Sequence, residues 1–286
     1  MRRQYLDEPP LLRHGDHVED ALQPKRALHR RNGGLLTAYE PARYGEAVGD
    51  HYDSLYPGVD RETEAAVERL AGLARGRKEC SVLEFGIGTG RLALPLHKRG
   101  VRVAGVDGSE RMVGQLRRKP FGEENDVVIG DYRNTRVGEA SFSVVLLAFN
   151  GIFDPRGLRA QLDIFRNAAR HLAPGGYFVI ESWVMTDEQR SGNWSVMPRY
   201  VGEEHVELQL ARFDVARNAI ERTLVHLRPS GMEFVTVADT YASPGELDVM
   251  AEVTGFERHA RYSGWDGGEF TTSSANHISV YSRRAD

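Results

Sequence analysis

Apolar residues along this 286-residue chain fall into two rhythms. Short continuous runs predict buried strands: CSVLEF (80–85), VRVAGVD (101–107), DVVIGD (126–131), FSVVLLAFN (142–150) and GYFVIESW (176–183). Segments with one apolar face lie between and before them. Val67, Leu70 and Ala74 mark a helix that Asp60 can cap. GRLALPLHKRG (90–100) predicts a second, ending at Gly100, and Ser109 caps a third running to Arg118. Leu158, Leu162, Phe165, Ala169 and Leu172 share one side of a fourth, which PGG (174–176) turns into the fifth strand. Such alternation argues for a parallel sheet covered on both faces.

The rhythm changes to period two over residues 203–240. Val206, Leu208 and Leu210 alternate with Glu207 and Gln209; runs follow from Ile220 to Leu227 and from Glu233 to Val237. Turn chemistry separates them at ARN (216–218) and PSG (229–231), so an antiparallel meander is predicted. It is too small to stand alone and must pack on the main sheet or on another subunit. Ser243-Pro244-Gly245-Glu246 then forms a capping box with proline at the first helical position, and that helix ends at Gly255. FERHARYS (256–263) and NHISVYSRR (276–284) are the last strands, joined by the polar loop GWDGGEFTTSSA. This closing hairpin implies at least one antiparallel strand at that end of the sheet. The expected fold is α/β: a Rossmann-like core of seven strands with a small antiparallel β-sheet insertion. The expected division is an N-terminal arm (1–40), the first part of the core (41–184), the β insertion (185–242) as acceptor side or dimer contact, and completion of the core (243–286).

Charge and cysteine content narrow the setting. The net charge of −4 gives no basic field for nucleic acid. The sole cysteine, Cys80, cannot form an internal disulfide and reads as a buried wall residue before a strand, which fits a reducing cytoplasm. The N-terminal stretch is charged and lacks an apolar signal core. The longest apolar run, FSVVLLAF (142–149), is too short to span a bilayer. A cytoplasmic protein with no membrane partner is expected. His14-x-x-His17, with Asp16 and Glu19, reads as solvated side chains of the arm, and no metal is expected.

The chemistry concentrates in VLEFGIGTGRLALPL (82–96). Gly86, Gly88 and Gly90 follow a buried strand and open a helix, where a doubly wound sheet binds its ligand. Gly88-x-Gly90-x-x-Ala93, with Asp107 further on, meets a loose dinucleotide pattern. Glu84 opposes that reading, because a carboxylate two residues before the first glycine would face a pyrophosphate. It suits a ligand with a cationic end. Asp131 closes the third strand and offers a second acceptor for a base amino group. An ammonium, a ribose and an adenine without phosphate describe S-adenosylmethionine (SAM).

Residues 81–183 resemble a class I SAM-dependent methyltransferase. E-F-G-I-G-T-G resembles the first motif of that family, AGVDGSERM the second, and GDYRN the adenine-side motif. The resemblance implies that Gly86, Gly88 and Gly90 line the methionine part, with Glu84 near its amino group. It implies that Asp107 binds the ribose hydroxyls and that Gly108, Ser109 and Met112 flank the adenine. Asp131 then meets the adenine amino group, with Tyr132 beside it.

A narrower resemblance covers most of residues 44–260 and points to the sugar aminomethyltransferases, including N,N-dimethyltransferases of nucleotide-linked aminosugars. Tyr44-Gly-Glu-Ala-Val-Gly-Asp-His-Tyr52-Asp is similar to their paired-tyrosine segment. It implies that Tyr44 faces the reacting centre and Tyr52 the cofactor. Phe149-Asn150-Gly151-Ile152-Phe153-Asp154 stands where the family runs from the fourth strand into an active-site loop, with Phe149 on the cofactor side and Asn150 and Phe153 on the acceptor side. Glu181-Ser182-Trp183 resembles the family's Glu-Pro-Trp, so Trp183 is a candidate wall of the acceptor pocket. Some relatives carry histidine where this chain has Asp154. That carboxylate either takes the amine proton or simply caps the next helix through Asp154-Pro155.

Other groups read more plainly. His205 is expected to be an exposed strand histidine, Arg199, Arg212, Arg217 and Arg222 to decorate a solvated sheet face, and Trp194 is as readily core as pocket. The expected activity is N-methylation of a nucleotide-linked aminosugar in natural-product biosynthesis, by a homodimer. The alternatives are O-methylation of a small natural product by the same core, or a non-catalytic module that binds SAM or a nicotinamide cofactor.

Overall fold

The computed structural model describes residues 42–50, 52–55, 60–76, 79–138, 142–154, 157–190 and 194–284. The arm expected over 1–40, with His14 and His17, lies outside the described residues. Five strands come first: β1 (Ser81–Phe85), β2 (Arg102–Asp107), β3 (Asp126–Ile129), β4 (Phe142–Leu147) and β5 (Leu172–Trp183). A second group follows: β6 (Ser195–Val201), β7 (Val206–Asp214), β8 (Ala219–Arg228) and β9 (Gly231–Thr240). β10 (Phe256–Tyr262) and β11 (Asn276–Arg283) close the chain. The helices are α1 (Arg43–Val48), α2 (Tyr52–Leu55), α3 (Arg61–Arg75), α4 (Ala93–Lys98), α5 (Glu110–Arg117), α6 (Leu158–His171), α7 (Asp187–Arg190) and α8 (Pro244–Val253).

The main sheet has the order β10-β11-β5-β4-β1-β2-β3. β1 to β5 pair in parallel, and β11 enters antiparallel between β5 and β10. The expected antiparallel closure is therefore present. β1 is buried along its whole length because both faces are covered. Val82 points to a layer with Ala66, Val67 and Leu70 of α3 and Leu96 of α4. Leu83 and Phe85 point to the opposite layer with Ile164 and Phe165 of α6 and Leu247 of α8. The chain runs outward in opposite directions from β1 and β4, so their carboxyl ends frame the crevice where ligands bind in such sheets.

The second sheet is antiparallel, in the order β6-β7-β8-β9. It buries Phe213 and Ile220 against the core layer that contains Phe153, Met185 and Tyr241, as its small size requires. Its first strand was not legible in sequence. Every residue of β6 is exposed, so no alternation marks it, and Pro198 lies within it. Other boundaries also move, and β5 begins at Leu172 rather than 176, running through PGG. α4 covers 93–98 rather than 90–100, β3 ends at Ile129, and β4 ends at Leu147, leaving 148–150 as a turn. Asp154 does not cap α6, whose N-cap is Gly157.

Candidate active site

A cavity of about 500 Å³ opens beyond β1 and β4 and extends under the four-stranded sheet. That volume lies within the usual range for small-molecule sites. Its floor is the turn after β1. Gly88 has φ +55, and a Cβ there would approach Met112 Cε at 3.3 Å, so glycine keeps both the turn and the space above it. The backbone N–H groups of Gly88 and Ser109 donate to Asp107 Oδ2 and Oδ1, each at 2.8 Å. These bonds fix the carboxylate at the end of β2. Burial nevertheless pushes its pKa up, against the pull of those two bonds.

Glu84 is buried at the cavity floor, and its Oε2 has no hydrogen-bond partner among the described residues. Burial pushes its carboxyl up to about 8; Arg91 opposes the shift, while Asp107 and Glu181 add to it. An orphaned carboxylate oxygen above a glycine cradle is the complement of an ammonium group. The donor set therefore fits the amino-acid end of SAM and does not fit a pyrophosphate.

Gly86, Gly108, Met112 and Tyr132 join Glu84, Gly88 and Asp107 on the wall. Three predicted cofactor residues do not line it. Gly90 has a packing role: its φ is +84, and a Cβ would overlap Leu116 Cδ1. Ser109 caps α5, accepting from Met112 N, and donates its hydroxyl to Glu46 Oε1 at 2.7 Å. The Asp131 carboxylate is engaged by the backbone N–H of Arg133 at 2.9 Å and by its guanidinium Nε at 2.8 Å.

The segment with Tyr44 and Tyr52 lies against the cofactor elements, and both tyrosines line the cavity. Two carboxylates that the sequence reading did not single out hold it there. Glu46 accepts from Ser109 and from the backbone N–H of Arg111, whose guanidinium donates to the Glu46 carbonyl at 2.7 Å. Asp53 accepts from the Thr89 hydroxyl at 2.7 Å and pairs with Lys119 at 2.7 Å.

The loop after β4 forms the opposite wall. Phe149 and Asn150 both have positive φ, +53 and +67, an arrangement that costs on the order of 1–3 kcal/mol per residue. Hydrogen bonds enforce it. Phe149 N donates to Glu181 Oε2 at 2.8 Å, Asn150 N to the Glu181 carbonyl at 3.0 Å, and Trp183 N to Asn150 Oδ1 at 2.8 Å. Glu181 is oriented in turn by the buried Trp265 indole, which donates to Oε1 at 2.6 Å. Trp265 sits in the loop that read as merely polar.

Beyond this turn the lining becomes aromatic and charged. Phe153, Trp183 and Tyr241 pack with ring centroids 5.2–5.3 Å apart. Phe153 and Trp183 line the cavity, as does Asp154. Asp154 is exposed by surface area, and it lines the cavity. Desolvation by the surrounding protein, with Asp239 nearby, raises its pKa well above the usual carboxylate range, and Arg222 acts in the opposite sense. The Tyr132 hydroxyl lies 2.9 Å from the Gly151 carbonyl and 3.3 Å from Asp154 Oδ2, so one side chain touches both halves of the site. Arg212 and Arg222 line the cavity rather than a solvated face, and Arg199 lines it from an exposed strand. Arg212 pairs with Glu221 and Arg222 with Asp239. Arg217 alone of the four stays outside, paired with Asp214 near the surface. His205 is half-buried between the Tyr200 and His226 rings rather than exposed.

A parallel sheet closed by an antiparallel hairpin, with an acidic glycine crevice at its switch point, defines a SAM-dependent methyltransferase. The chain belongs to that family. Residues 82–176 match the family model described as a methyltransferase domain. The structure superposes on the CcbJ methyltransferase from Streptomyces caelestis with a TM-score of 0.78 and 33% identity, over 87% of this chain and 100% of that one. It is similar to the cypemycin N-terminal methyltransferase of a Streptomyces species, 25% identical over 86% of this chain and 99% of that protein. The dTDP-4-amino-2,3,4,6-tetradeoxy-D-glucose N,N-dimethyltransferase of Saccharopolyspora spinosa is 32% identical over 51% of this chain and 58% of its own length. SAM is thus the methyl donor. No described helix is long and apolar enough to cross a membrane.

Proposed function

We propose that the chain methylates an amino nitrogen on an aminosugar, carried on a nucleotide or a comparable small molecule. The observation that carries this reading is Asp154, a carboxyl of raised pKa facing the acceptor end of the cavity. An amine arrives largely as an ammonium ion and must lose a proton before its lone pair can attack. A carboxylate poised near neutrality takes that proton more readily than one of ordinary acidity. When bound, SAM supplies an electrophilic methyl group and a sulfide leaving group: the N–C bond forms as C–S breaks, with the bond pair going to sulfur. The protein's part is alignment and exclusion of water, which is worth about 7–11 kcal/mol in favourable cases. Tyr44 and the Phe149–Asn150 turn flank the cavity and position the acceptor, and Phe153 and Trp183 offer flat apolar faces to a sugar ring. Arg199, Arg212 and Arg222 supply positive charge toward a diphosphate, tempered at Arg212 and Arg222 by their carboxylate partners. A relative named as an N,N-dimethyltransferase of a dTDP-aminosugar and one named as an N-terminal methyltransferase agree with nitrogen as the acceptor atom.

The test is product analysis with SAM and three acceptors: a dTDP-aminosugar, its hydroxyl analogue and a peptide with a free N-terminus. Methylation of the sugar nitrogen supports the reading. Transfer only to oxygen, or only to the peptide, overturns it.

A further inference from the structure

On the four-stranded sheet, His205, Glu207 and His226 meet at one point. Period-two geometry accounts for it. His205 and Glu207 are two residues apart and share a face, and Glu207 is directly paired with His226 across the β7–β8 ladder. His205 Nε2 lies 3.3 Å from His226 Nδ1, which lies 3.5 Å from Glu207 Oε2. One ligand atom from each of the three residues falls within 4.8 Å of the others. Glu207 and His226 are buried, and Glu207 Oε2 has no hydrogen-bond partner among the described residues.

We infer that these three side chains bind a divalent transition ion of the zinc class. In a tetrahedral site the ligand–ligand edge is about 1.63 times the metal–ligand distance, or about 3.3–3.5 Å for zinc with nitrogen and oxygen donors. The two separations through His226 match that edge, and the His205 and Glu207 ligand atoms lie within 4.8 Å of each other. Two imidazoles and a carboxylate are a borderline-soft donor set that favours zinc, cobalt or nickel over magnesium or calcium. The ion also supplies what the buried Oε2 lacks, a positive partner. Tyr200 packs at a tilt against the His205 ring, centroids 5.4 Å apart, and steadies it. Three protein ligands leave a fourth position to water. Glu207 also lines the main cavity, so the ion ties β7 to β8 at the acceptor wall. This inference stands apart from the identity of the acceptor.

The experiment uses the full chain, stripped of metal and titrated with Co(II). Visible absorption reports tetrahedral coordination, and elemental analysis of the zinc-loaded protein reports stoichiometry. One equivalent of Co(II) with a tetrahedral spectrum is expected. It should be displaced by zinc, and the added ion should raise the melting temperature. Glu207→Gln, which keeps size and shape, should weaken binding at least tenfold. His226→Asn should abolish the spectrum, whereas His14→Asn with His17→Asn should leave it intact. Absence of a tetrahedral spectrum in the unmodified chain overturns the inference. So does a spectrum that survives His226→Asn or is lost with the two N-terminal substitutions.

Discussion

Glu84→Gln separates what this carboxylate does for the cofactor from what it does to the fold. Burial raises the Glu84 carboxyl from 4.5 to about 8 in the cofactor-free protein. The folded protein therefore holds Glu84 largely protonated at pH 7, while the unfolded chain ionises it freely. Its contribution is favourable below pH 4.5 and is lost as pH rises from 4.5 toward 8. At pH 7 the gap is about 2.5 pH units, on the order of 3 kcal/mol of stability forgone. Gln cannot ionise, so the variant should recover most of that amount and melt several degrees higher without cofactor. Binding should change in the opposite direction. An ammonium at Oε2 favours the carboxylate, so SAM uptake releases a proton near neutrality, and affinity rises with pH by up to tenfold per unit below 8. Glu84→Gln should weaken SAM by roughly 10–100-fold, the 1.5–3 kcal/mol of a charged hydrogen bond, and flatten that pH dependence between 5.5 and 7. Calorimetry in buffers of different ionisation enthalpy reads the proton, and thermal melts at pH 5 and 8 read the stability. An unchanged SAM affinity together with an unchanged apo melting temperature would refute the reasoning.

Three further outcomes follow from the site. Asp154→Asn should lower kcat at least 100-fold with little change in SAM affinity. Because Asp154 acts when ionised, the unmodified enzyme should gain rate with rising pH through its elevated pKa, and the variant's residual rate should lose that limb; an identical pH profile would remove Asp154 from proton transfer. Tyr44→Phe should reduce turnover more than SAM affinity in steady-state and binding assays, and an unaltered kcat would return Tyr44 to a purely enclosing role. Gly90→Ala combines a φ of +84 with overlap onto Leu116, so denaturant melts should show a loss of roughly 1–3 kcal/mol, whereas Gly76→Ala, with open space around it, should be near neutral.

The cofactor half of the molecule was legible because its signal is local. An apolar strand running into three alternate glycines, and an aspartate closing the next strand, are contiguous features whose chemistry depends little on the rest of the chain. The acceptor half depends on residues far apart in sequence. The Trp265 indole meets a carboxylate 84 positions away, and no period marks it. Glu46 and Asp53 look like ordinary surface acids until α5 and the glycine loop are set beside them. Arg222 sits in an alternating strand, and its pattern fixes only which face it takes; the overlying core decides whether that face is water or cavity. Asp154 before Pro155 looked equally suited to capping. Only the start of α6 at Leu158, with Gly157 as its cap, removes the capping reading.

The fastening of the tyrosine segment has a consequence for the order of events. Among the described side chains of α1 and α2, Val48 is the one buried apolar group; the exposed carboxylates Glu46, Asp50 and Asp53 add polar contacts. Contacts of that kind are worth at most about 1 kcal/mol each, far less than buried apolar area. Such contacts leave the segment cheap to open. Its anchors, Ser109, Arg111, Thr89 and Lys119, all belong to the elements that cradle the donor. One door thus serves both substrates, with its latch on the donor's side of the frame. The expected outcome is ordered kinetics, with the donor bound first and the spent donor released last, which product-inhibition patterns would read.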